Sequence, residues 1–304
     1  MNEKENLILE APQTERKYKD KLFRLVFREK KELLSLYNAV NGTNYDNPED
    51  LEVNTLENAV YMNMKNDISF VFDMELNLYE HQSTYNPNMP LRDLFYIARL
   101  LEKATADRSL YGISLVQIPT PRFVVFYNGI EEQQERQILK LSDAFEKKVK
   151  EPEIELKVIM LNINLGKNKE ILEKCKTLQE YMIYVTKVRE YAVTMNIQTA
   201  VERAVNECIK QGILKEFLLR YKAEAIQMSI FEYDEEREMQ LIKESMRQVY
   251  SKEGREEGLE QGIKAFILDN LEEKISKERI LEKLQRHFEL SKEQSELYFR
   301  KYSH

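Results

Sequence analysis

Apolar positions recur along this chain with two different periods, and the switches between them mark its organisation. Periodicity begins at Tyr18. In KYKDKLFRLVFREKKELLSLYNAV the residues Leu22, Phe23, Val26, Phe27, Leu33, Leu34, Tyr37 and Val40 recur at helical steps, which predicts helices separated by a short break near 28–31. Asn41-Gly42 supplies a stop. From Ala59 to Gln82 the helical period disappears. AVYMNM, ISFVF and ELNLYEHQ are short, rich in β-formers and aromatics, and predict adjacent strands. Residues 83–90, STYNPNMP, predict a loop, and Pro90 stands where a helix accepts its first residue. In the helix predicted next, Leu91, Leu94, Phe95, Ala98 and Leu101 are expected to face inward, with Arg92, Tyr96, Arg99 and Lys103 as a cationic outer stripe.

Two further apolar runs, RFVVFYNG at 122–129 and LKVIMLNINLG at 156–166, read as buried strands, with a polar, helical segment expected over 131–150. Repeated strand, helix, strand favours a mixed α/β core with crossover helices over a sandwich. After Gly166 the pattern is helical to Tyr250, and the solvent-facing helical patterns of 231–304 read as an appendage. The expected organisation is a core of residues 1–166, a helical extension over 167–230 packing on it, and a helical tail over 231–304.

Composition narrows the class. The 304 residues contain no apolar run near the ~20 that a bilayer-spanning helix needs, so no membrane partner is expected. A net charge of −7 means that the whole chain is not an electrostatic glove for nucleic acid, and any polyanion contact must be local. The basic stretch 16–31 contains the local excess, with Lys21 and Arg24 among its cations. Cys175 and Cys208 have no CxxC spacing, which argues against a disulfide framework or a Cys/His zinc site and fits a reducing compartment. The first 15 residues are polar and patternless, no secretory signal is expected, and the cytoplasm is the expected location.

Candidate chemistry concentrates in NDISFVFDMELNLYEHQSTYNPNMPLRDLFYIARLLEK. In an extended LNLYEHQ, Leu76, Leu78, Glu80 and Gln82 share one side and His81 turns to the other. Asp67 opens the preceding strand, and a hairpin can bring it to Glu80. Two anionic oxygens meeting there suit Mg²⁺ or Mn²⁺, which take carboxylate, carbonyl and water ligands, and such an ion suits phosphodiester hydrolysis. Arg92 and the basic stretch are the candidate phosphate contacts.

The run Glu80-His81-Gln82-Ser83, preceded by Asn66-Asp67-Ile68-Ser69-Phe70 and followed by TYNPNMPLR, resembles the Rpn family of recombination-promoting nucleases and transposase-like proteins, a branch of the PD-(D/E)XK nuclease superfamily. Asp20-Lys21-Leu22-Phe23-Arg24-Leu25-Val26-Phe27 matches that family's first helix, and GREEGLEQGIKAF from 254 is similar to its closing helix. The resemblance covers roughly residues 18–265. It implies a PD-(D/E)XK restriction-endonuclease-like α/β core, with a central mixed sheet flanked by helices and an all-helical C-terminal region. It further implies a Mg²⁺-dependent DNA endonuclease with Asp67 and Glu80 as metal ligands, Asp20 completing the metal sphere, and Gln82 where most of the superfamily carries lysine. An amide can position water or phosphate oxygen but offers neither charge nor a tunable base.

Other readings of the same residues stand beside these. Asp20 also suits a helix N-cap, His81 a hydrogen-bonded structural role, and Asp73 with Glu75 a hairpin turn. In the tail, Gly254, Gly258 and Gly262 line one helical stripe that permits close approach of another backbone, and Ser291 with Gln294 forms a capping-box pattern. Two short amphipathic helices there suit packing or a homo-oligomer contact. A catalytically inactive nuclease fold that binds DNA or protein, acting through this tail, is the competing functional class.

Overall fold

The computed structural model describes residues 22–53, 68–288 and 290–303, with the backbone alone over 247–257. It divides into two compact units, the first ending at Glu236 and the second starting at Arg237.

In the first unit the predicted early helices form as α1, Leu22–Val26, and α2, Lys30–Asn41, which ends on Gly42 in the left-handed conformation (φ 70°) that glycine adopts without steric cost. A six-stranded mixed sheet follows, in the order β1-β2-β3-β4-β6-β5. Its strands are β1 (Glu52–Val53), β2 (Ile68–Phe72), β3 (Glu75–Gln82), β4 (Thr120–Tyr127), β5 (Arg136–Lys140) and β6 (Lys157–Asn162). The AVYMNM segment and the first 21 residues lie outside the described residues.

β2 and β3 form a hairpin closed by Asp73 and Met74, both at positive φ (48° and 60°), the geometry that matches strand twist in a two-residue connection. Tyr45 Oη supports this turn by donating to Asp73 Oδ2 at 2.8 Å. β3 then pairs in parallel with β4, and β4 with β6, so β3 and β4 are interior strands. Between β3 and β4 runs α3, Met89–Ala104, with Pro90 in its first turn.

Side-chain alternation sorts the strands onto two cores. Phe70, Phe72, Tyr79, Val124 and Phe126 face the core shared with α1, α2 and the helices that follow the sheet. Leu76, Leu78, Val125, Tyr127 and Met160 face the core covered by α3. After β6 come α4 (Lys169–Lys174), α5 (Lys176–Ala192), α6 (Ile197–Gln211), α7 (Lys215–Arg220) and the start of α8 (Lys222–Glu272). Tyr181, Met182, Val201 and Val205 from this region sit in the same core as the strands, so these helices are integral to the unit.

Two expectations need correction. The 131–150 segment is not helical, because Arg136–Lys140 is the antiparallel edge strand β5, followed by a 3₁₀ turn over Leu141–Ala144. Backbone groups on the open edge of β6 take a strand there, anchored by buried Leu139, and this non-local pairing overrides local helical preference. The inner face of α3 is also rotated from the expected one: Met89, Asp93, Tyr96, Ile97 and Leu100 are buried, whereas Leu91 and Phe95 are exposed. Apolar residues occupy more than one side of this helix, and an aspartate within the inner stripe disguised it.

The second unit contains the remainder of α8 with α9 (Lys277–Phe288) and α10 (Lys292–Tyr302) around a small core of Ile263, Ile267, Ile280 and Leu284. Ser291 and Gln294 form the reciprocal capping box expected of them. A Cβ at Gly258 would meet nothing within 4 Å, and one at Gly262 only Phe288 at an ordinary 3.7 Å, so neither glycine serves a close backbone approach within this unit. Among the described residues no helix is long and apolar enough to cross a membrane.

Candidate active site

Glu80 and Gln82 stand two residues apart on β3 and therefore share the sheet face covered by α3. Their partners on β4 are Val125 and Tyr127. The site lies at the carboxyl ends of the parallel strands, where open α/β sheets form ligand crevices. His81 occupies the other face. Its ring stacks on Phe23 of α1, with centroids 4.9 Å apart, and its Nε2 lies 3.2 Å from Tyr181 Oη. Strand alternation thus separates the polar pair from the histidine between them.

α3 supplies the cation. Arg92 projects a guanidinium whose Nη2 donates to Tyr96 Oη at 3.2 Å, one helical turn on. The Gln82 amide is satisfied at both ends when its oxygen accepts from Arg92 Nη1 and its nitrogen donates to the Thr84 carbonyl, each at 3.3 Å. The opposite orientation sets the amide oxygen against the Thr84 carbonyl and the amide N–H groups against the Arg92 donor, like against like, so the first arrangement is the physical one. Burial works against the Arg92 charge, but the hydrogen bond to Tyr96 and the charges of Tyr96, Glu80 and Asp93 outweigh it and hold its pKa above the ordinary value. Burial, reinforced by Glu80, likewise raises Tyr96. Glu80 itself is 1% exposed. Glu80, Gln82, Arg92 and Tyr96 thus form one electrostatically linked group under α3.

Of the expected site residues, Glu80, Gln82 and Arg92 come together. Arg24 belongs to α1, which packs on the opposite sheet face through Leu22, Phe23 and Val26. Asp67, Asp20 and Lys21 lie outside the described residues. Asp73 lies in the hairpin turn and Glu75 follows it, accepting from Tyr37 Oη and Arg122 Nε.

Tyr96, Asp93 and Met89 were not anticipated as neighbours of the site. The four-residue step from Arg92 to Tyr96 was a readable signal, and the inward turn of Asp93 was not. Asp93 is 1% exposed, and its Oδ1 has no hydrogen-bond partner among the described residues.

Among the described residues no group of three His, Cys, Asp or Glu side chains could hold a metal ion. The described part of the expected donor set is one buried carboxylate, Glu80, beside an amide oxygen that faces Arg92. A carboxylate is the hard oxygen ligand that Mg²⁺ takes, so this part fits, and the other two carboxylates of the set are outside the described residues.

Neither a family model, nor a curated protein, nor a solved structure matches this chain.

Proposed function

We propose that this chain is a Mg²⁺- or Mn²⁺-dependent DNA endonuclease with a PD-(D/E)XK-type core, acting in DNA recombination or on mobile elements from the cytoplasm. The observation that carries the reading is the shared face of Glu80 and Gln82 on β3, with Arg92 laid against the amide. Asp67 and Glu80 would hold the ion, with Asp20 completing its sphere. When bound, such an ion lowers the pKa of water and offsets charge on the leaving oxygen. Gln82 orients the attacking water or a phosphate oxygen, and Arg92 steadies the phosphate, with Lys21 as a further backbone contact. The alternation in β3 and the Rpn-like motif support Asp67 as the partner of Glu80: the last described pair of the hairpin ladder is Ile68 opposite Tyr79.

The test is plasmid cleavage by the purified full chain. Cutting is expected with Mg²⁺ or Mn²⁺, is lost in EDTA, and is lost in folded Asp67→Ala and Glu80→Ala variants. Persistence in both variants would overturn the assignment.

The burial of Glu80 favours one second reading, a catalytically inactive nuclease fold that binds DNA or protein and self-associates through its C-terminal helices. It predicts metal-independent DNA binding without cleavage, and loss of function on deleting 231–304 but not in Asp67→Ala.

A further inference from the structure

The end of the strand that carries Gln82 is held from elsewhere in the chain. The Asn128 backbone N–H donates to the Gln82 carbonyl at 3.0 Å. The Asn128 carbonyl accepts from Arg189 Nη1 of α5 at 2.6 Å. Arg189 Nη2 meets both carboxylate oxygens of Glu236 on α8, at 3.0 and 3.1 Å. The crossing is tight, because a Cβ on Gly129 would lie 2.2 Å from the Ser83 carbonyl oxygen.

The Arg189–Glu236 pair is largely withdrawn from water, with side-chain exposures of 20% and 9%. Burial pushes the Glu236 carboxyl above its ordinary range, and Arg189 pulls it back. Such a pair is weak evidence for stability, since well-packed apolar residues of similar volume often serve as well or better. No apolar replacement could donate to the Asn128 carbonyl, however, and that carbonyl shares the Asn128 Cα with the N–H that the Gln82 carbonyl accepts from.

We propose that Arg189 is a positioning residue for Gln82, aimed by Glu236 and acting through Asn128. The assignment rests on Gln82 being a site residue. Glu236 fixes the guanidinium fork, the fork fixes the Asn128 carbonyl and so limits rotation about the Asn128 Cα, and the Asn128 N–H on the other side of that Cα fixes the carboxyl end of β3. Arg189 touches neither substrate nor ion.

Variants of the full chain separate positioning from support. Arg189→Lys keeps the charge but not the planar fork that reaches both partners. The double variant Arg189→Met/Glu236→Leu replaces the buried pair with apolar residues and is expected to stay folded, its melting temperature lowered by no more than the unpaired Asn128 carbonyl costs. Both are expected to lose about ten- to a hundredfold in kcat for plasmid cleavage with KM for DNA unchanged, the signature of a misplaced group. Full wild-type kcat in a stable double variant, or in Arg189→Lys if the double variant does not fold, overturns the proposal. Hydrogen exchange at the Asn128 amide supplies the reading that needs no activity. Exchange faster than wild type in either variant, with β2 amides unchanged, supports the positioning chain even if the wild-type protein cuts nothing, in which case only the nuclease reading is lost. Unchanged exchange at Asn128 removes the positioning chain whatever the activity.

Discussion

Arg92 Nη1 on α3 stands 3.3 Å from the side-chain oxygen of Gln82 on β3. The cation therefore reaches the site from the helix, and the strand position opposite it holds a neutral amide. A lysine at 82 would set a second positive charge against the guanidinium, and like charges about 4 Å apart repel by about 4 kcal/mol at an effective dielectric of 20. Gln82→Lys is expected to lower the melting temperature, and Arg92→Gln introduced with it to restore much of the loss. Thermal denaturation of the two variants checks this; an unperturbed Gln82→Lys protein would show that the two groups do not share a site.

Asp93 gives the site a pH dependence of stability. Burial, opposed by Arg92, pushes its carboxyl up to about 7. A carboxyl whose folded pKa exceeds its unfolded value of about 4 binds more protons in the folded state. Its contribution is thus complete below about pH 4 and is lost as the pH rises to about 7. Asp93→Asn removes that ionisation. It is expected to stabilise the protein at pH 8, by an amount on the order of a few kcal/mol, and to change little at pH 4. Melting curves at the two pH values decide it, and an equal shift at both would remove this account.

Gly129 is predicted to resist any side chain. A Cβ there would meet the Ser83 carbonyl oxygen at 2.2 Å and the Tyr127 hydroxyl at 2.5 Å, and the first of these is backbone that cannot rotate away. Gly129→Ala should cost about 1–3 kcal/mol, the usual range for overpacking. Its midpoint in urea unfolding should fall accordingly.

In the second unit, the Ser291 hydroxyl accepts from the Gln294 N–H at 3.2 Å, and Gln294 Oε1 accepts from the Ser291 N–H at 2.8 Å. Ser291→Ala should cost about 1 kcal/mol. Faster amide exchange is expected in α10, with none in β3; a change in β3 would contradict the division at Glu236.

Local rules made much of this fold readable. Alternation in ELNLYEHQ is enough to place Glu80 with Gln82 and His81 opposite, and the turn after Asn41 needs only Gly42. Where pairing is non-local the sequence carried no trace of it. Arg136–Lys140 becomes a strand because β6 presents an edge, a fact stored outside that segment. α3 has apolar residues around much of its circumference, so periodicity alone misjudged its inner face. The Arg189–Glu236 pair joins α5 to α8 across a separation of 47 residues, and neither residue stands out among the many charged ones nearby.

β3 gains its parallel neighbour only after α3 and the long connection beyond it have been made. On a ribosome the hairpin of β2 and β3 is finished first, and the N–H and C=O groups along its outer edge stay unpartnered for seconds at ordinary synthesis rates. During that interval the nascent chain carries an uncapped strand, the feature that invites wrong pairing between molecules. Yield on overexpression should accordingly depend on chaperone supply and growth temperature more than on the stability of the finished protein.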